Sequence, residues 1–259
     1  MSALPAIIAA IYGLFFGSFL NVVIYRAPRG ESVAFPASHC PSCGHALRAW
    51  ENIPLLSWLA LRGRCAHCSA PISARYPTVE AMTAALFALT AIVYGVTWEG
   101  AAVAVLAATL VAVVFIDLDH LLILDVVLVP AAVVGIASAI ASAATHGPRI
   151  GEALLGCAVC AAIFGVLYLA TRGAGMGLGD VKLAAVIGLY LGMQLGVAAS
   201  LAAFVVGSIL LVPALVVGGR RRRDAVPFGP FLVIAALAAL YVPDVIAWPF
   251  HLARLPFGT

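Results

Sequence analysis

Two groups of residues stand out by type and spacing. Between two apolar segments lies Phe115-Ile116-Asp117-Leu118-Asp119-His120-Leu121-Leu122-Ile123-Leu124-Asp125, with three carboxylates in nine residues. A further isolated carboxylate follows in Gly177-Leu178-Gly179-Asp180. Ionisable groups at a membrane boundary are costly and are therefore candidates for function. Two Asp from separate helices, brought face to face, would share a proton and titrate as a pair. Such a pair suits amide hydrolysis, in which an ionised carboxylate takes a proton from water and a protonated one polarises the carbonyl. Asp180 would stand near a helix N-terminus, which favours the ionised form, leaving the proton to Asp117. Asp119, His120 and Asp125 compete for the role of Asp117, with Asp125 the stronger rival. A plain polar turn joining two helices is the structural alternative.

The other group is Cys40-Pro41-Ser42-Cys43 and Cys65-Ala66-His67-Cys68, two CxxC pairs separated by 21 residues. Each pair can turn two thiolates toward one ion, and two pairs complete a tetrahedral site. Structural zinc fits this spacing, and iron is the other thiolate-binding choice. Four Cys leave no open position for a catalytic water. His39, His45 and His67 could each replace a thiolate. A loop of this size with few apolar groups needs such a staple to hold its shape. Cys157 and Cys160 also read as CxxC, but inside an apolar helix, where small packing residues are expected.

The elements that position these groups are membrane helices. Hydrophobic residues make up 64% of the 259 and charged residues 10%, which excludes an ordinary soluble core. A first apolar segment at 4–24 has no basic start and no small-residue cleavage pattern, so it reads as a retained anchor. Residues 26–77 form the one sizeable polar segment. Apolar segments follow at about 78–96, 101–116, 123–144, 150–171, 181–192, 195–217 and 228–248. The expected fold is thus all-α and polytopic, with about eight transmembrane helices and a small zinc-stapled loop domain between the first two. The expected division is 1–25, a first helix; 26–77, the four-cysteine domain; and 78–259, a seven-helix membrane domain.

Lys and Arg orient the chain. Arg26, Arg29, Arg48, Arg62, Arg64 and Arg75 lie in the large loop, Arg172 and Lys182 flank the loop after the fifth span, and Arg220 to Arg223 follow the seventh span. Only Arg149 and Arg254 fall on the other side. The positive-inside rule places the large loop and both Asp motifs in the cytoplasm. The Arg run reads as a topology signal touching anionic lipid, not as a nucleic-acid patch.

Several stretches resemble one family, the type IV prepilin peptidases. Gly17-Ser18-Phe19-Leu20-Asn21-Val22-Val23-Ile24-Tyr25-Arg26 looks like its opening motif. Glu51-Asn52-Ile53-Pro54-Leu55-Leu56-Ser57-Trp58-Leu59, Arg62-Gly63-Arg64-Cys65 and Pro71-Ile72-Ser73-Ala74-Arg75-Tyr76-Pro77, with Glu80, are similar to its cytoplasmic loop. Asp117 with Ile123 and Asp125, and Gly177-Leu178-Gly179-Asp180 with Lys182, resemble its two aspartate motifs. One departure is Leu124, where a Pro is usual. The resemblance implies that Asp117 and Asp180 are the catalytic pair of a GxGD-type membrane aspartyl peptidase, supported by Asp125, Gly177, Gly179, Lys182 and Glu80. Asn21 and Arg26 are candidates for substrate contact. The implied reaction removes the leader of type IV pilins or type II secretion pseudopilins at the inner-membrane face. Members that keep the cysteine loop also methylate the new amino terminus with S-adenosylmethionine. No Gly-rich strand–turn–helix motif for that donor is present, so it would need an unorthodox pocket. Two other readings are a peptidase without methylation and a proton-coupled transporter using the Asp as a relay.

Overall fold

Long apolar runs without periodic polar residues can satisfy their backbone in a bilayer only as helices, and helices are what form. The computed structural model describes residues 3–146, 149–217 and 227–247, with no side-chain detail for 144–149 or 211–217. Nine α-helices occur among the described residues: α1 Leu4–Arg26, α2 Leu56–Ala60, α3 Arg75–Tyr94, α4 Trp98–His120, α5 Asp125–His146, α6 Arg149–Ala170, α7 Leu178–Val217, α8 Gly229–Tyr241 and α9 Pro243–Ala247. No strand is present among those residues, only two isolated bridges. Six helices among the described residues are long and apolar enough to cross a membrane.

The expected count of eight is approximate. The segments 181–192 and 195–217 follow one another within α7 as two helices that meet at a kink at Gly192, where φ is +71°. Glycine reaches that region without steric cost. The final apolar helix, α8, has 13 residues, short of the roughly 20 that span a hydrocarbon core. Of the orienting charges, Arg220 to Arg223, Arg254 and the side chain of Arg149 lie outside the described residues.

The chain divides into two compact units, Met1–Ala112 and Val113–Thr259. In the first, α1 lies against α3. Gly13 and Gly17, four residues apart, form the contact: a Cβ on either would sit 2.6 Å from the Cα of Ala84 or Glu80. Small residues at this spacing let two membrane helices approach backbone to backbone.

In the second unit α6 packs along α7 by the same device, with the backbone of Gly156 pressed on Gly188 and Gly192. Cys160 is fully buried, and a Cβ at Gly188 or Gly196 would meet its Sγ at 2.9 Å, so this sulfur serves as a packing atom. Helix α5 is tied to α7 through Tyr190, whose hydroxyl donates to the Ala131 carbonyl (2.8 Å). Phe164 of α6, Phe204 of α7 and Phe228, which precedes α8, form an aromatic cluster with centroids 5.1 to 6.0 Å apart.

Candidate functional site

The cysteine loop is built from two turns of the same design. In one, the Cys40 N–H donates to the His45 carbonyl and the Gly44 N–H to the Cys40 carbonyl, both at 2.9 Å. In the other, the Cys65 N–H donates to the Ala70 carbonyl (2.9 Å) and the Ser69 N–H to the Cys65 carbonyl (3.0 Å). Gly44 and Ser69, each the residue after its CxxC, take left-handed φ values of +70° and +58°. The turns present Cys40, Cys43, Cys65 and Cys68 with all four sulfurs within 4.8 Å of one another. The Cys40–Cys68 separation is 3.9 Å. Tetrahedral zinc with Zn–S bonds of about 2.3 Å needs sulfurs roughly 3.8 Å apart, so the four thiols fit such an ion. The N–H groups of Cys43 and Ser42 face the Cys40 sulfur and pull its thiol down to about 6, toward the thiolate that a metal needs.

Two buried carboxylates fasten this loop. Glu51 accepts the Arg48 N–H (2.7 Å) and lies 3.4 Å from His45 Nε2. The Arg48 N–H and the His45 ring hold its carboxyl below the ordinary range. Glu80, on α3, accepts the Leu55 N–H (2.8 Å), a residue held at φ +60°. Asn21 donates to the Tyr76 carbonyl (3.1 Å) and Arg26 to the Ser32 carbonyl (3.0 Å), and both side chains are buried. The candidate substrate contacts thus bond to backbone on either side of the loop.

The aspartate region lies wholly in the second unit. Asp117 occupies the last turn of α4 and is 5% exposed; Asp180 is the third residue of α7 and is 9% exposed. Helix α4 closes through Leu121, whose N–H donates to the Asp117 carbonyl (2.9 Å) and whose φ is +53°. Helix α5 starts at Asp125, with the Val127 and Leu128 N–H groups returning to the Leu124 carbonyl. The turn thus closes with Leu at 124, without the proline usual in the family the chain resembles.

Asp180 reaches back along its own helix start. Its Oδ2 accepts the Gly177 N–H (3.1 Å), the reverse half of a capping box. Gly179 is needed for a different contact: a Cβ there would lie 2.7 Å from the Cβ of Ile123. The missing side chain lets the start of α7 rest directly on the turn after α4. Lys182 adds a second link, its Nζ donating to both Asp125 oxygens at 2.7 and 2.8 Å. The two motifs expected from sequence are thus joined twice. Asp117 and Asp180 are near enough for their charges to interact.

One residue at this site was not singled out by sequence reasoning. The Gly229 N–H, at the start of α8, donates to Asp117 Oδ2 at 3.0 Å in a buried setting. The available signal was Pro227-Phe228-Gly229-Pro230, a glycine between prolines at a helix start, but nothing local says which carboxylate it meets.

Comparison with known proteins agrees with this layout. Residues 11–94 match the Bacterial Peptidase A24 N-terminal domain and residues 104–212 the Type IV leader peptidase family. The chain is 37% identical to a prepilin leader peptidase/N-methyltransferase of Pseudomonas aeruginosa, over 91% of this chain and 90% of that one. It is 36% identical to the protein of that name from Aeromonas hydrophila, at 91% and 90% coverage. The Myxococcus xanthus protein is 41% identical over 80% of this chain and 63% of its own. No solved structure matches. With six apolar helices of spanning length, two paired aspartate motifs and relatives matched almost end to end, this is a multi-pass membrane protein and belongs to the type IV leader peptidase family.

Proposed function

We propose that this protein cleaves the leader peptide from type IV prepilins or type II secretion pseudopilins and methylates the new amino terminus with S-adenosylmethionine. The observation that carries the peptidase reading is the pairing of Asp117 and Asp180. Two buried carboxylates from different helices interact, and each is held by a glycine N–H. Such a pair, with one proton between them, meets the demands of amide hydrolysis: the ionised member takes a proton from water while the protonated member polarises the scissile carbonyl. Gly177 and Gly179 set the position of Asp180, and Asp125 with Lys182 keeps the two motifs in register.

Cys40, Cys43, Cys65 and Cys68 hold zinc in a purely architectural role, since four thiolates complete its coordination. Glu80 fastens the loop to α3, while Asn21 and Arg26 shape substrate entry through the backbone they hold. The functional division is a first helix at 1–25, a zinc domain at 26–77 and the peptidase helices at 78–259. The protein resides in the bacterial inner membrane with the large loop and both Asp motifs facing the cytoplasm, the side that the Arg-rich loop favours.

Purified protein in detergent, incubated with a prepilin and S-adenosylmethionine, should yield a product lacking its leader and heavier by one methyl group. Cleavage without the methyl leaves the peptidase reading alone. Absence of cleavage across several prepilins, with zinc bound, contradicts both.

A further inference from the structure

We propose that Gly229 is a positioning residue for the peptidase reaction: its backbone N–H fixes the Asp117 carboxylate, and its missing side chain makes room for it. The inference rests on Asp117 being catalytic and goes beyond that reading by bringing α8 into the machinery.

Helix α8 begins Gly229-Pro230-Phe231, and the first N–H groups of any helix lack partners within it. Pro230 has no N–H, and the Phe231 N–H goes back to the Phe228 carbonyl (3.1 Å). The Gly229 N–H instead points off the helix to Asp117 Oδ2 (3.0 Å), across 112 residues of chain. A donor at a helix start favours a carboxylate there. By occupying Oδ2, it leaves the reaction to Oδ1.

The space is as specific as the bond. A Cβ at 229 would lie 2.5 Å from Asp117 Oδ2 and 3.1 Å from its Cγ, inside van der Waals contact. Any other residue must push the carboxylate aside or withdraw the amide. The start of α8 cannot yield easily, because Phe228 is held in the cluster with Phe164 and Phe204. Gly207 offers a matched control on α7, where an added Cβ makes only ordinary contact, 3.5 Å from the Phe228 and Phe231 rings.

Kinetics of prepilin cleavage by full-length Gly229→Ala should show kcat lowered on the order of 100-fold, as expected for a misplaced reacting group, with KM within about two-fold of the parent value. Gly207→Ala should leave both unchanged. A Gly229→Ala enzyme with parental kcat overturns the proposal. A second measurement needs no substitution at 229. Labelling with carbonyl-13C Phe and 15N Gly selects the four Phe–Gly amides at Gly17, Gly165, Gly229 and Gly258. Asp117→Asn should move the Gly229 amide resonance and leave the other three in place. No movement at Gly229 overturns the proposal even if Gly229→Ala fails to fold. Normal cleavage by Asp117→Asn would instead defeat the underlying reading, whereas loss of cleavage there with full activity in Gly229→Ala defeats this inference alone.

Discussion

The cysteine loop and the aspartate region solve the same problem, holding reactive groups in place, by opposite means. In the loop the four sulfurs come from two local turns of one design, each closed within about six residues by its own backbone. An ion can then lock the two turns together. In the aspartate region nothing local suffices. Asp117 depends on an N–H from α8, and Asp180 depends on its own helix start and on Gly179 resting against Ile123. A small polar segment has too little apolar area to organise itself, and the four converging thiols could hold a metal ion that would do so. A packed membrane bundle has rigid helices to spare, and uses glycine contacts and backbone donors.

This contrast yields graded expectations. Removing metal with a chelator, or Cys65→Ser, should unfold the loop, since structural zinc contributes on the order of 10 kcal/mol to small sites. Limited proteolysis should then cut between Cys40 and Cys68 while the helices resist. A loop that stays resistant without metal would mean it holds its shape by packing. Gly179→Val comes next. It forces branched carbons against Ile123 and should reduce cleavage on the order of 100-fold, with zinc content unchanged, as measured by prepilin turnover and metal analysis.

Glu80→Ala leaves the half-buried Leu55 N–H without its acceptor and should cost about 1 kcal/mol, read as a lower thermal midpoint. Glu80→Gln keeps an acceptor oxygen and should restore much of that loss. Equal cleavage defects in both variants, without a stability difference, would instead point to contact with substrate. Lys182→Met is the mildest change. The Lys182–Asp125 pair has side chains 44% and 61% exposed, and such pairs are worth about 0–1 kcal/mol. Cleavage should fall only slightly, and high salt should mimic the variant.

The same contrast explains what the sequence made legible. Both CxxC pairs could be read because their geometry is local. So could the two Asp motifs, since a carboxylate between apolar segments is conspicuous whatever it touches. The helices were readable from apolar length, and their count approximately so. Gly192 marks the kink between two helices within α7, where the sequence division falls, while α8 is apolar yet only 13 residues long. Gly229 stayed hidden because its contribution is a backbone N–H, which every residue but proline carries, meeting a partner 112 positions away. Gly179 could be singled out as part of its motif, but Ile123 as its neighbour required the fold. Glu80 could be singled out as a supporting carboxylate, while its acceptance of the Leu55 N–H could not.

The central claim is that Asp117 and Asp180 together perform the hydrolysis while the cysteine loop only builds structure. The most direct test measures prepilin cleavage by Asp117→Asn and Asp180→Asn, with zinc content and thermal midpoint determined on the same preparations. The account predicts that each substitution lowers cleavage on the order of 10²–10⁴-fold, with zinc content and thermal stability retained. Either variant cleaving at the parental rate would contradict it.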